Sequence, residues 1–138
     1  MYAGGKGVRQ DYAEVAKWHH KAADQGYAAA QSSLGYMYDK GQGVRQDYAE
    51  AVKWYRKAAD QGYAVAQFNL GHMYAEGQGL PQDYVQAHMW LNLAVSKFPA
   101  SEVVPRERAL RAREYVAGEM TPAQVAEAQR LAREWKPK

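Results

Sequence analysis

The amino-acid sequence predicts an all-α protein, an α-solenoid of antiparallel helix pairs with a 36-residue period and a C-terminal helical cap. Three observations predict it. Residues 1–36 recur in residues 37–72 with identity at most positions, and the register continues beyond. It aligns Trp18, Trp54 and Trp90, then Gly7, Gly43 and Gly79, and the pairs Asp11-Tyr12, Asp47-Tyr48 and Asp83-Tyr84. Apolar residues inside each unit fall at helical spacing. Only 5 prolines stand beside many Ala, Gln, Glu, Lys and Arg residues, a composition that favours helix.

The first helix of a unit, helix A, is predicted over 28–40 and 64–76. Ala30, Leu34, Met37 and Tyr38 share one stripe of it. The second, helix B, is predicted over 47–61, with relatives starting at Asp11 and Asp83, and its stripe is Ala51, Trp54, Tyr55, Ala58 and Ala59. Asp47 with Glu50 has the spacing of a capping box; Asp11 with Glu14 repeats it, and Asp83 with Gln86 is a variant. Gly26 and Gly62 stand where helix B must stop, as left-handed caps. Residues 41–46 and 77–82 are the A-to-B turns. Gly35 and Gly71 lie inside helix A, where glycine costs roughly 1 kcal/mol relative to alanine. Its recurrence in one register predicts a close approach by helix B and its Trp.

The repeats occupy residues 1–98, and the first unit lacks most of its helix A, because Met1 aligns with Met37 near that helix's end. Helix B of this unit is therefore expected to leave Tyr12, Val15, Trp18 and Ala22 partly bare. Either upstream repeats or another chain would cover them. In the third helix B, Lys53, Tyr55 and Lys57 become Met89, Leu91 and Leu93, so a solvated face turns apolar. Residues 99–138 supply the cover as capping helices over 105–117 and 122–135. Thr121, Pro122 and Gln124 form a helix start, and Val125, Ala128, Leu131, Ala132 and Trp135 a buried stripe.

Several function classes find no support in the residues. The net charge of +3 comes with acids interspersed among the bases, so no basic stripe marks a nucleic-acid binder. No apolar run approaches the roughly 20 residues of a membrane span. The first ten residues are polar and glycine-rich, unlike a secretory leader, which reads as cytoplasmic by default, or as exported if the chain is a fragment. With no cysteine, disulfides and thiolate chemistry are excluded. The glycine-rich stretches follow no strand and lack P-loop spacing. His19 and His20 point to different sides of a helix, while His72 and His88 lie on different helices, so no metal site is predicted. No Ser, His and acid arrangement stands out. The expectation is no enzyme and no cofactor.

The string Ala66-Gln67-Phe68-Asn69-Leu70-Gly71-His72-Met73-Tyr74, followed by Gly77-Gln78-Gly79, Asp83-Tyr84 and Trp90, resembles the Sel-one-like repeat family. So does the stretch from Asp47-Tyr48 through Lys53-Trp54-Tyr55-Arg56-Lys57 to Ala58-Ala59. The likeness covers residues 1–98, and the ending around Met120-Thr121-Pro122 is similar to that of bacterial members. This family is a relative of the tetratricopeptide repeat, and the resemblance implies a right-handed superhelix that serves as an adaptor scaffold. One branch of the family carries a disulfide in each repeat and was linked to penicillin-like compounds. Without cysteine, this chain does not inherit that reading.

Positions that differ between otherwise matching A helices include Ser32/Phe68, Ser33/Asn69, Tyr36/His72, Asp39/Ala75 and Lys40/Glu76. The resemblance implies that helix A lines the inside of the superhelix. Ser32, Tyr36, Asp39, Phe68, Asn69 and His72 are therefore the candidate partner-binding residues, unless they are simply solvated. The leading expectation is a protein-interaction module that holds a peptide or partner protein on the concave helix-A face. An alternative is a structural piece of a longer scaffold, self-associating through Tyr12, Val15 and Trp18. A third is single-stranded RNA binding, by analogy to other helical repeats, against which the missing basic stripe argues.

Overall fold

The computed structural model describes residues 5–138, with side chains from residue 11 onward. Met1 and Tyr2, which the register assigns to a preceding helix A, lie outside the described residues. Seven helices and no strand are present among the described residues: α1 (Gly5–Asp24), α2 (Ala28–Lys40), α3 (Tyr48–Asp60), α4 (Ala64–Glu76), α5 (Tyr84–Lys97), α6 (Val103–Ala117) and α7 (Pro122–Glu134). α2 packs on α3 and α4 on α5 as the repeat pairs, while α1 on α2 and α3 on α4 join one unit to the next. This is an all-α solenoid.

The A-to-B turn is built from backbone bonds that recur in both complete units. Gly41 ends α2 in the left-handed region at φ 71°, a conformation that glycine adopts without strain. The Gln42 amide then donates to the Met37 carbonyl at 2.9 Å, and the Asp47 amide to the Tyr38 carbonyl at 2.9 Å. Gln78 to Met73 and Asp83 to Tyr74 repeat this at 3.0 Å each. The predicted capping boxes are half formed for that reason. Asp47 accepts from the Glu50 amide at 3.2 Å, but its own N–H is already taken by Tyr38, so Glu50 has no return bond to make. The complete box is at α7. There the Gln124 amide donates to Thr121 Oγ1 at 3.1 Å and the Thr121 amide donates to Gln124 Oε1 at 2.8 Å.

At α1 the expectation fails. The helix starts at Gly5 and runs through the segment that forms a turn in the other units, so Gly7 is helical and Asp11 sits inside the helix, not at its cap. In the other units the bond from Asp to the preceding Tyr carbonyl holds the turn. The counterpart of that Tyr is Tyr2, outside the described residues.

The core alternates between units. Trp54 is 4% exposed and packs with Ala23 of α1 and Ala30 and Leu34 of α2, so one indole joins two units. The ammonium groups of Lys53 and Lys57 lie 5.3 and 5.6 Å from its ring centre, and the His20 ring meets its edge at 5.4 Å. In the next unit Met89 and Leu93 replace the two lysines and are buried, and Leu131, Ala132 and Trp135 pack onto their cluster. The Trp135 ring stands at 6.1 Å, edge-on to Trp90. α6 covers the other flank of α5, setting Val116 on Ala87 and Leu91, and Ala109 on Ala94, Val95 and Phe98.

Two core details differ from expectation. Tyr55 is wholly buried, in keeping with the helix-B stripe, so the solvated face consists of the two lysines without it. Gly35 and Gly71 also make room for a different residue than the Trp. A Cβ on Gly35 would stand 2.7 Å from Tyr55 Cδ1, and one on Gly71 would stand 2.9 Å from Leu91 Cγ. The residue after each Trp points at the glycine because the indole is turned toward the preceding unit.

Glutamines tie the units together. Gln31 and Gln67 each donate to a carbonyl of the preceding helix B, Ala23 and Ala59, at 3.2 Å. Gln61 reaches back one unit to the Gly26 carbonyl at 3.0 Å and to Gln31 Oε1 at 2.8 Å. In the next unit the register position of Gln61 is held by Lys97, whose ammonium sits 5.5 Å from the Trp135 ring centre. Gln67 Oε1 is left buried without a partner. The ladder of amides ends where the C-terminal helices begin.

Candidate partner-binding groove

The A helices, with α1 and α6 on either side, enclose two adjoining cavities. The first, about 360 Å³, takes Tyr12, Val15 and His19 from α1, which recur at i, i+3 and i+7 on one helical face. Across it stand Ser33 and Tyr36 of α2, with Val65 and Asn69 of α4. The second, about 290 Å³, lies between α4 and α6 and is lined by Phe68, Phe98, Val104, Pro105 and Arg108. Tyr36, Val65 and Asn69 line both, so the cavities form one groove. Val65 and Asn69 are one helical turn apart, which is why one face of α4 serves both sides.

Most of the lining is apolar or aromatic. Asn69 makes no side-chain hydrogen bond among the described residues, leaving an amide donor and acceptor free in the middle of the groove. Tyr36 is exposed, and the Lys40 ammonium lies 5.8 Å from its ring centre. Arg108 is the charged residue of the second cavity, and no carboxylate lines either one.

The structure sorts the candidate residues. Tyr36, Phe68 and Asn69 come together in the groove, with Phe68 half-buried against the core. Ser32 lines the first cavity but is only 4% exposed, so it offers a partner little surface. Asp39 and His72 line neither cavity. Asp39 accepts a hydrogen bond from the Tyr55 hydroxyl at 3.2 Å. Burial, and then the Asp39 charge, push that hydroxyl's pKa well above the usual tyrosine value. Tyr12 and Val15 belong to the groove, whereas Trp18 does not; it is 62% exposed, with the Lys21 ammonium 4.9 Å from its ring centre. Val65 and Arg108 escaped the sequence reading. Val65 left a signal, since it replaces Ala29 in register, but α6 has no repeat counterpart against which Arg108 could stand out.

Among the described residues no group of three or more His, Asp or Glu side chains is placed to hold a metal ion, and no helix is long and apolar enough to cross a membrane. His88 is buried in α5. Desolvation first, and then the nearby Arg113 charge, lower its pKa and favour the neutral ring.

The Sel1 repeat model matches residues 1–27, 28–63 and 64–97. The chain belongs to the Sel1 repeat family. Among solved structures, it is similar to c5321, a protective antigen present in uropathogenic Escherichia coli strains and displaying an SLR fold. That likeness has 33% identity and a TM-score of 0.83, covering 94% of this chain and 26% of that one. It is also similar to a Sel1 repeat protein from Oxalobacter formigenes, with 33% identity and a TM-score of 0.59, over 85% of this chain and 52% of that one. The chain thus spans about a quarter of the first relative and half of the second. No curated protein matches it significantly. Sel1 repeats are in general protein–protein interaction modules.

Proposed function

We propose that this Sel1 repeat chain is a non-enzymatic adaptor that holds a peptide segment of a partner protein in the groove running from Tyr12 to Arg108. One observation carries the reading. Tyr36, Val65 and Asn69 join two apolar cavities into one track, with an unpaired amide at the junction. Apolar side chains of a bound segment would fill the cavities, and its main chain would pair with Asn69. Residues 99–138 complete the track on this reading, since α6 forms its second wall.

A photo-crosslinking residue at position 65 tests this in the native cell. It is expected to capture a partner, and Tyr36→Ala is expected to remove the capture at unchanged melting temperature. Equal capture from position 72, which lies outside both cavities, would sink the groove assignment.

The exposure of Trp18 favours a second reading, in which the chain is a piece of a longer scaffold and α1 is a stacking face. It rests on Trp18 being bare where its register partner Trp54 is packed between units. Sedimentation should then show concentration-dependent association that Trp18→Glu removes. A monodisperse monomer at high concentration would defeat self-association.

A further inference from the structure

We infer that the segment taken by this groove is acidic at one end, an apolar stretch of a partner protein carrying an Asp or Glu side chain that docks on Arg108. The inference rests on the groove being the binding site and adds the chemistry of its occupant. The groove has an electrostatic direction. Toward α1 it is lined by Tyr12, Val15 and His19, and toward α6 it ends at Arg108 between Phe98 and Val104. Beyond that, Arg108 and Arg111 share a further hollow with Val103, Val104 and Glu107.

Most Lys and Arg side chains among the described residues have no ion-pair partner; what sets Arg108 apart is that it stands in an apolar cavity that no carboxylate lines. Arg113 is paired with Glu114, and Arg130 with Glu127 and Glu134. Arg106, Arg108 and Arg111 have no carboxylate within ion-pair distance among the described residues. Val104, Arg108, Arg111 and Tyr115 recur at i, i+4, i+7 and i+11, so α6 presents Arg108 and Arg111 on the same stripe as exposed apolar side chains. A guanidinium with five donors and no carboxylate within ion-pair distance is satisfied by one in a two-bond fork. Apolar walls that exclude water from such a pair strengthen it over an open surface pair. A basic or neutral segment would leave Arg108 facing like charge or lose that bond.

The test uses the full chain and a library of short random peptides with blocked termini, so that only side chains supply charge. Peptides selected on the native chain are counter-selected against a Tyr36→Ala, Val65→Ser variant, which removes groove contacts without changing charge. The expected survivors carry Asp or Glu beside their apolar residues. Changing that acid to its amide should weaken binding about ten-fold, the loss expected of one charge-assisted bond. Arg108→Gln should erase the difference between the acidic peptide and its amide. Arg108 is exposed, so the variant is expected to fold, and its melting temperature checks this. Groove-dependent peptides with no acidic preference, or a preference that survives Arg108→Gln, would overturn this inference and leave the groove reading standing. The absence of any groove-dependent peptide would remove both. Binding of the native chain to anionic vesicles that Arg108→Gln abolishes, with no acidic preference among peptides, would assign the cations to a membrane surface instead.

Discussion

Trp54→Ala is expected to destabilise the protein by about 3–5 kcal/mol, the range for removing a large aromatic from a packed core. Trp18→Ala, at the same register position one unit earlier, is expected to stay within about 0.5 kcal/mol. The contrast follows from what the two indoles touch. Trp54 fills the space between Ala23 of α1 and Ala30 and Leu34 of α2, and its removal leaves a cavity shared by two units. Neither α1 nor α2 can slide into that space, because Gln31 and Gln61 hold the units in register through the Ala23 and Gly26 carbonyls. Trp18 is largely in water already, so deleting it opens no cavity. In a solenoid, stability is a sum of unit and neighbour terms, and Trp54 contributes to both. Urea unfolding of the two variants checks this through the shift in midpoint at unchanged slope. Similar losses for both would mean that Trp18 is covered in solution, and would count in favour of α1 as a stacking face.

Gly71→Leu is the second large effect expected, at about 1–3 kcal/mol of overpacking. Even a Cβ at this position would lie 2.9 Å from Leu91 Cγ and 3.2 Å from the Ala87 carbonyl oxygen. A leucine must drive α4 and α5 apart or force Leu91 off its rotamer. The better helix propensity of leucine returns less than about 1 kcal/mol of this. The clash partner can be identified by a double-mutant cycle with Leu91→Ala. That change alone should destabilise by opening a cavity, whereas the pair should cost less than the two single losses together, with a coupling of about 0.5–3 kcal/mol. Simple additivity would show that Leu91 is not what meets the new side chain.

Much of the fold was legible because helix pairing here is local. Asp47 and Asp83 cap their helices through the third residue on, Gly41 and Gly77 reverse the chain, and Thr121 with Gln124 opens α7, each through bonds spanning only a few residues. The replacement of Lys53 and Lys57 by Met89 and Leu93 correctly announced that something covers α5. What the pattern could not say is which atoms meet. In sequence Tyr55 fits both the apolar stripe of helix B and the face it shares with Lys53 and Lys57, because a tyrosine tolerates either environment. The size of the Trp does not by itself say which side chain fills the space at Gly35 and Gly71. Variation between units looks the same at an accessible position and at a nearly buried one such as Ser32.

By itself the sequence determined the period, the helix pairs, the family, and the presence of covering helices at residues 99–138, since all of these follow from spacing along the chain. Only the tertiary structure decided that Tyr12 and Val15 of α1, Tyr36 of α2, Val65 and Asn69 of α4, and Arg108 of α6 line one groove. It also decided that Asp39 is engaged by Tyr55 and that Trp18 stands apart from its neighbours on α1. The physical reason is one of range. Caps, turns and stripes depend on neighbours within one or two helical turns, whereas a groove depends on the angle at which successive helices stack. That angle is set by the packing of Trp54, Tyr55 and Leu91 against residues far along the chain.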